Sequence, residues 1–241
     1  MNGFDIHAVR SSLPGRTIDY YPEIGSTMTA AAKLVDHGAV VVADSQTAGI
    51  GRYNRAWHSA PGDGLYFTVV LRTDPLPLLT MAIGLAVQEA IAHQTGLAPD
   101  IRWPNDLLAR ERKLCGILTQ YQDQRVLAGI GINVNHEAFP PELESLATSI
   151  RLETGRAYSR EALLIDVLQR MDTFSALPHP AILTAFTQQS SYARGRRVCV
   201  ELNGREVRGV TAGLDKNGYL LLDDSEGHRH TILAGGVRPC S

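Results

Sequence analysis

Residues 102–118 read Arg102-Trp103-Pro104-Asn105-Asp106, then Leu-Leu-Ala-Arg-Glu, then Arg112-Lys113-Leu114-Cys115-Gly116-Ile117-Leu118. Ile101-Arg102-Trp103 is a strand pattern that stops at Pro104, which lacks the N–H a sheet ladder needs. Asn105 and Asp106 are thereby predicted at the end of a strand, where α/β sheets often carry their ligand sites. A plain Asx turn is the alternative for the same pair. Leu114–Tyr121 and Val126–Val134 read as two further strands joined by a polar turn at Gln122–Arg125. Lys113 then stands at the head of a strand. An ammonium held in a cleft there could grip a phosphate and offset charge that develops on it. A lysine flanking a strand is otherwise usually exposed.

Toward the N-terminus, Gly25-Ser26-Thr27 precedes the Ala-rich stretch Met28–His37 and then Gly38, which predicts a capped helix. Ala39–Ala43 reads as a short buried strand, residues 44–64 as a long loop and Leu65–Arg72 as another strand. Leu78–Gln94 has helical periodicity and ends before Gly96. Beyond the central strands, helices are expected from Ser159 to about Phe174 and near Ile182–Ser191. From Arg196 onward the pattern changes to short strands and tight turns. Asn203-Gly204 lies between Val198–Leu202 and Glu206–Val210, and Asn217-Gly218 precedes Tyr219–Leu222. This predicts a small barrel appended to an α/β domain, with the boundary near Arg194.

The 241 residues carry 44% apolar and 20% charged side chains and a net charge of −2. That is an ordinary globular composition, and it gives no global basic field pointing to nucleic acid. No apolar run reaches the roughly 18 residues of a membrane span. Residues 1–10 contain Asp5, His7 and Arg10 and lack the apolar core of a signal peptide. Cys115, Cys199 and Cys240 are scattered and odd in number, which reads as three free thiols in a reducing cytoplasm. His228 and His230 show no zinc-ligand spacing and read as surface residues.

Two more segments carry chemistry. Gln46-Thr-Ala-Gly49-Ile50-Gly51-Arg52-Tyr53-Asn54-Arg55-Ala-Trp57 combines glycines, two arginines and a tryptophan. Glycines let backbone amides approach an anion, arginines neutralise phosphate or carboxylate, and an indole stacks on a flat ring. Gly129-Ile-Gly131-Ile-Asn133 places glycine at alternate strand positions, which strips one face of side chains and leaves room for a flat ligand or a closely packed helix.

In this order, Ser26-Thr27, the Gly-Arg loop, Trp-Pro-Asn-Asp, Lys113-Leu-Cys-Gly116 and Gly-Ile-Asn133, the segments resemble the biotin–protein ligases. The match runs from about Tyr21 to Asn135, and the hairpin-rich tail fits that family's SH3-like C-terminal domain. The resemblance implies an α/β (α+β) fold: a mixed-sheet catalytic domain of the class II synthetase-like biotin/lipoate ligase type over residues 1–193, and a small SH3-like β-barrel over 194–241. It implies two steps, formation of biotinyl-5′-AMP from biotin and ATP, then transfer of biotin to a lysine of a biotin carboxyl carrier protein.

By the same resemblance Ser26, Thr27, Met28, Gln46, Ile50, Gly51, Arg52, Lys113 and Gly116 match biotin-site positions. Arg52, Arg55, Trp57, Asn105, Lys113 and Asn133 match ATP-site positions. Lys113 and Arg52 are the expected catalytic pair, and Asp106 the expected ligand of Mg2+. Several relatives carry Arg where Ile50 stands, and Tyr53-Asn54 replaces a pair richer in glycine and arginine. Ser26 could equally serve as a helix cap. Roughly 20 residues precede the first matched motif, too few for a helix-turn-helix. The implied protein is a cytoplasmic ligase without repressor activity, a monomer or weak homodimer, binding neither DNA nor membrane. A lipoate ligase or acyltransferase is the nearest alternative, and a non-catalytic binder of biotin or its adenylate the next. An unrelated nucleotide-binding α/β protein is disfavoured by the lack of a GxxxxGK[ST] loop.

Overall fold

Seven strands pair into one mixed sheet, the central ones rich in Val, Ile and Leu: β1 (Ile18–Ile24), β2 (Val40–Gln46), β3 (Gly64–Leu71), β4 (Asp100–Arg102), β5 (Asp106–Ala109), β6 (Arg112–Gln122) and β7 (Arg125–Asn133). Their spatial order is β1-β2-β3-β7-β6-β5-β4. Only β1 and β2 run parallel; the other pairs are antiparallel. The computed structural model describes residues 3–73, 77–202 and 204–240.

One face of this sheet is covered by helices. α3 (Pro77–Thr95) is buried on most sides, as expected of a helix that is apolar nearly all round. It packs between the sheet and α5 (Arg160–Ser175), which Ser159 caps by accepting from the Ala162 N–H. The short helices α1 (Ile6–Ser12) and α4 (Ile150–Thr154) and the longer α6 (His179–Gln189) complete that layer. The opposite face carries only α2 (Thr27–Ala31), whose Met28 and Ala31 pack with Ala39, Val41, Val70 and Leu127. The rest of that face is left to loops, and the site forms there.

The C-terminal strands β8 (Arg194–Leu202), β9 (Arg205–Leu214), β10 (Leu220–Asp224), β11 (Arg229–Ile232) and β12 (Val237–Pro239) form a separate antiparallel sheet in the order β11-β10-β9-β8-β12. The hairpin expected around Asn203-Gly204 pairs Leu202 with Arg205, while Asn203 itself lies outside the described residues. Val198, Val200, Leu220 and Leu222 join the same apolar cluster as α3 and Trp103, so the two sheets share a core.

Several expectations change. The helix over Met28–His37 shortens to Thr27–Ala31 and gives way to turns before Gly38. The loop over residues 44–64 begins later, because β2 continues to Gln46 against β1. β1 itself escaped notice because Pro22 interrupts it; at the sheet edge its missing N–H costs no ladder bond. The three free thiols reduce to one: Cys199 and Cys240 are joined in a disulfide that ties the end of the chain to β8, and Cys115 is buried and free.

Gly64 opens β3, and a Cβ there would lie 2.2 Å from the ring of Tyr66, which is itself buried and donates to the Ala60 carbonyl at 3.1 Å. Gly64→Ala is expected to lower stability by about 1–3 kcal/mol, the usual scale of overpacking. Urea unfolding reads this directly. Gly236→Ala, with nothing within 4 Å of the added carbon, should leave the midpoint unmoved.

Candidate active site

Gly116 and Gly131 face each other across β6 and β7. A Cβ at Gly116 would come within 2.8 Å of the Trp57 ring, and one at Gly131 within 2.5 Å. The two glycines therefore clear a shelf, and the indole lies on it. Gly129 does the same for Met28, whose sulfur would be 2.7 Å from an added Cβ. Sequence reading expected the room made by the strand glycines to receive a ligand or a helix. At Gly129 the room is taken by Met28 of helix α2, as the closely packed helix alternative expects, and at Gly116 and Gly131 by the Trp57 ring.

Lys113 and Gly116 are three residues apart, which in a regular strand puts them on opposite faces. The β5–β6 register slips here: Leu107 pairs with Cys115, but Leu108 pairs with Lys113. Leu114 is the extra residue of a bulge, and a bulge re-aims the side chains beyond it. Lys113 consequently reaches over Gly116, with Cε 3.0 Å from where a Cβ would be, and its ammonium sits 5.2 Å from the Trp57 ring centre. Its backbone is pinned by N–H donation to the Leu146 carbonyl at 2.8 Å and by acceptance from Thr148 N–H at 2.9 Å.

Asp106 lies below this ammonium. Lys113 Nζ is 2.7 Å from its Oδ1, as an ion pair with poorly directed hydrogen-bond geometry, and Arg102 donates to Oδ2 at 2.7 Å. Burial pushes the carboxyl up, but the charges of Lys113 and Arg102, with their close contacts to its oxygens, outweigh it and hold Asp106 below the ordinary carboxylate range. A carboxylate with a depressed folded pKa contributes stability above its unfolded pKa and loses it as pH falls through the folded value. Stability is therefore expected to decline below the usual carboxylate titration. Asp106→Asn should flatten that part of the pH profile in thermal unfolding; an unchanged profile would show that other carboxylates dominate it.

The expectation that Asp106 ligates Mg2+ does not fit this arrangement. Both of its oxygens already face fixed cations, and a divalent ion would have to displace one. Among the described residues no group of three His, Cys, Asp or Glu side chains is placed to hold a metal.

The loop from Gly49 to Trp57 is an ordered miniature hairpin. Trp57 N–H donates to Gly49 O at 2.9 Å, Gly51 N–H donates to Arg55 O at 2.7 Å, and Ile50 bridges Ala56. Arg52–Asn54 makes the 3-10 tip, with Tyr53 and Asn54 in left-handed conformation at φ 59° and 56°. Arg52 donates to Asn105 Oδ1 at 2.8 Å, and Asn105 is itself fixed by donating to Ile117 O at 2.9 Å. Arg55, Ile50 and Tyr53 are exposed.

Gln46 works inside the protein. Its Oε1 accepts from Thr27 N–H at 2.9 Å and its Nε2 donates to Ser59 Oγ at 3.0 Å. Thr27 Oγ1 also accepts from Thr68 Oγ1 at 2.9 Å. Ser26 occupies the N-cap position of α2 but makes no side-chain cap bond; its Oγ is buried without a partner. Asn133 donates its amide inward to Thr148 O at 3.0 Å.

Lys113, Gly116, Trp57, Met28, Asn105 and Arg52 thus come together on one side of the sheet, while Gln46, Asn105 and Asn133 also bond to protein neighbours there. Ser59, Thr68 and Arg102 were missed. Arg102, four residues before Asp106 and across a strand turn from it, was the one with a legible signal.

These features define a class: a cluster of cationic side chains on the open side of a mixed sheet, floored by glycines, with a buried unsatisfied hydroxyl nearby and a small β-sheet at its rim. Residues 22–137 match the biotin/lipoate A/B protein ligase family, and residues 194–237 the biotin protein ligase C-terminal domain. The chain is 34% identical to the bifunctional ligase/repressor BirA of Bacillus subtilis over 242 aligned positions, 91% of this chain and 73% of that protein. It is 32% identical to the biotin–[acetyl-CoA-carboxylase] ligase of Mycobacterium tuberculosis, covering 96% of this chain and 94% of that one. A biotin protein ligase from Aquifex aeolicus, solved in complex with biotin and ATP, superposes with a TM-score of 0.85 at 30% identity, over 93% of this chain and 99% of that one. The chain belongs to the biotin protein ligase family.

Proposed function

We propose that this protein forms biotinyl-5′-AMP from biotin and ATP and then transfers biotin to one lysine of a biotin carboxyl carrier protein. The observation that carries the reading is the Lys113 ammonium and the Trp57 indole lying together over the Gly116–Gly131 shelf, with Arg52 bonded to Asn105 of the neighbouring turn and a partnerless Ser26 hydroxyl buried at the head of α2. A buried hydroxyl without a partner costs roughly 1–3 kcal/mol, which a ligand bond would recover. Biotin's ureido group supplies such a bond.

In the first step a carboxylate oxygen of biotin attacks the α-phosphorus of ATP, and pyrophosphate leaves with the electron pair of the broken P–O bond. Lys113 faces both reacting anions and offsets the charge that builds between them. Arg52 and the exposed Arg55 neutralise the phosphates, and Trp57 packs beside the base. In the second step the carrier's neutral lysine amine attacks the mixed anhydride, and AMP leaves with the C–O electrons. The lysine's proton passes to solvent or to the departing phosphate. A Mg2+ ion taking part would be held by the nucleotide's own phosphates, where it would offset their charge, while Asp106 stays the partner of Lys113 and Arg102.

The reading takes residues 1–193 as the catalytic domain and 194–241 as a second domain closing on it. It includes a cytoplasmic location, a monomer or weak homodimer, and ligation alone, without repression. No described helix is long and apolar enough to cross a membrane. Incubation with ATP, biotin and an isolated carrier domain should add one biotinyl group to a single carrier lysine by mass spectrometry. No mass gain, or a gain that does not need ATP, would refute it.

A further inference from the structure

The guanidinium of Arg52 is held from both sheets at once. Its Nη1 donates to Asn105 Oδ1 at 2.8 Å on the catalytic side and to the Gly235 carbonyl at 3.3 Å on the C-terminal side. Tyr53 completes the clasp: Arg52 Nη2 donates to its hydroxyl at 3.2 Å and the guanidinium lies 5.1 Å from its ring centre. Gly235 sits between β11 and β12, two residues before Val237 pairs with Val200. A second bond crosses the same seam, from Trp103 Nε1 to the Gly218 carbonyl at 3.0 Å. The Trp-Pro-Asn-Asp turn and the arginine loop are thus both tied to backbone carbonyls of C-terminal turns.

Gly235 has φ 139°, a conformation side chains rarely adopt, yet a Cβ there would meet only Glu201 O and Val200 Cγ1 at 3.5 Å. The demand for glycine is therefore in the backbone and not in crowding. We propose that Gly235 is a positioning residue, whose carbonyl holds Arg52 over the site so that the C-terminal sheet keeps the adenylate from escaping. This rests on the ligase reading above, because it assigns Arg52 to the phosphate.

The test is a double-mutant cycle on the full chain, using Gly235→Val, Arg52→Ala and both together. Release of biotinyl-adenylate is timed after preloading with biotin and ATP and removal of free ligand. Valine keeps the carbonyl but holds φ 139° only under strain, so the turn shifts and the carbonyl leaves the charged Arg52, which predicts release about tenfold faster in Gly235→Val. In the Arg52→Ala background the same change should then add less than about twofold, since coupled residues are not additive. Tyr53→Phe, which keeps the ring and removes the hydroxyl, should fall between the unmodified chain and Gly235→Val. Unchanged release in Gly235→Val, or an equal effect with and without Arg52, would overturn the proposal, because a merely structural glycine acts whether or not the arginine is present. If the unmodified chain formed no adenylate, the ligase reading would fall first and this inference with it.

Discussion

Lys113→Ala is expected to lower biotin-dependent adenylate formation by about a hundredfold or more, the scale seen when one preorganised donor to a transition-state charge is removed. In the proposed reaction this ammonium is the group that faces both anions, and the neighbouring arginines hold other partners. Arg102 is committed to Asp106, and Arg52 to Asn105 and Gly235. The fold should survive. Lys113 is 32% exposed, and its strand position is held by backbone bonds to Leu146 and Thr148 that alanine retains. Asp106 keeps Arg102 as a partner. Single-turnover formation of adenylate, with thermal unfolding in parallel, separates the two effects. A variant that forms adenylate at the normal rate would remove Lys113 from the mechanism.

Gly131→Val should have the second largest effect. Any Cβ at this position would sit 2.5 Å from the indole, and the indole is not a flexible tip that yields cheaply. Trp57 must leave the shelf, and with it goes the wall beside the Lys113 ammonium, against which the proposed reaction also packs the base. A shift of about 1 Å at a positioned group can cost a hundredfold in rate. Stability should fall by only about 1–3 kcal/mol, since the shelf opens toward solvent and Trp57 can move outward. Gly131→Val is therefore expected to stay folded and lose adenylate formation. Tryptophan emission reports the displacement, because Trp103 is buried and bonded to Gly218 O and provides a constant background. Normal activity with unchanged emission would show that Trp57 does not use the shelf.

Much of the fold was legible because its central strands are long apolar runs and its C-terminal turns carry Asn-Gly pairs. The hidden parts have physical reasons. β1 contains Pro22, and an edge strand tolerates what an interior strand does not. α2 lasts five residues; beyond it Ala32 and Leu34 still pack on the same apolar patch, but as turns whose carbonyls accept from the Arg125 guanidinium instead of from a continuing helix. The disulfide between Cys199 and Cys240 depends on β12 returning beside β8, a long-range pairing that cysteine counting does not reveal.

In the site, charge and glycine content were readable, and they pointed to Lys113, Arg52 and Trp57. What they did not reveal is which groups are spoken for. Gln46 and Asn105 look like ligand contacts in sequence, and the sequence does not show that their amides also bond Thr27, Ser59 and Arg52. Asp106 looked like a metal ligand and is the counter-ion of Lys113. The bulge at Leu114 is the deepest of these silent features. Without it Lys113 would point away from Gly116, and periodicity alone places the two on opposite faces.

The central claim is that this site activates a carboxylate by adenylation and that the carboxylate is biotin's. ATP–pyrophosphate exchange on the full-length chain tests it most directly, run with biotin and, separately, with lipoate. The account predicts exchange that depends on biotin and is not supported by lipoate at the same concentration. Exchange driven by lipoate, or no exchange with either acid, would contradict it.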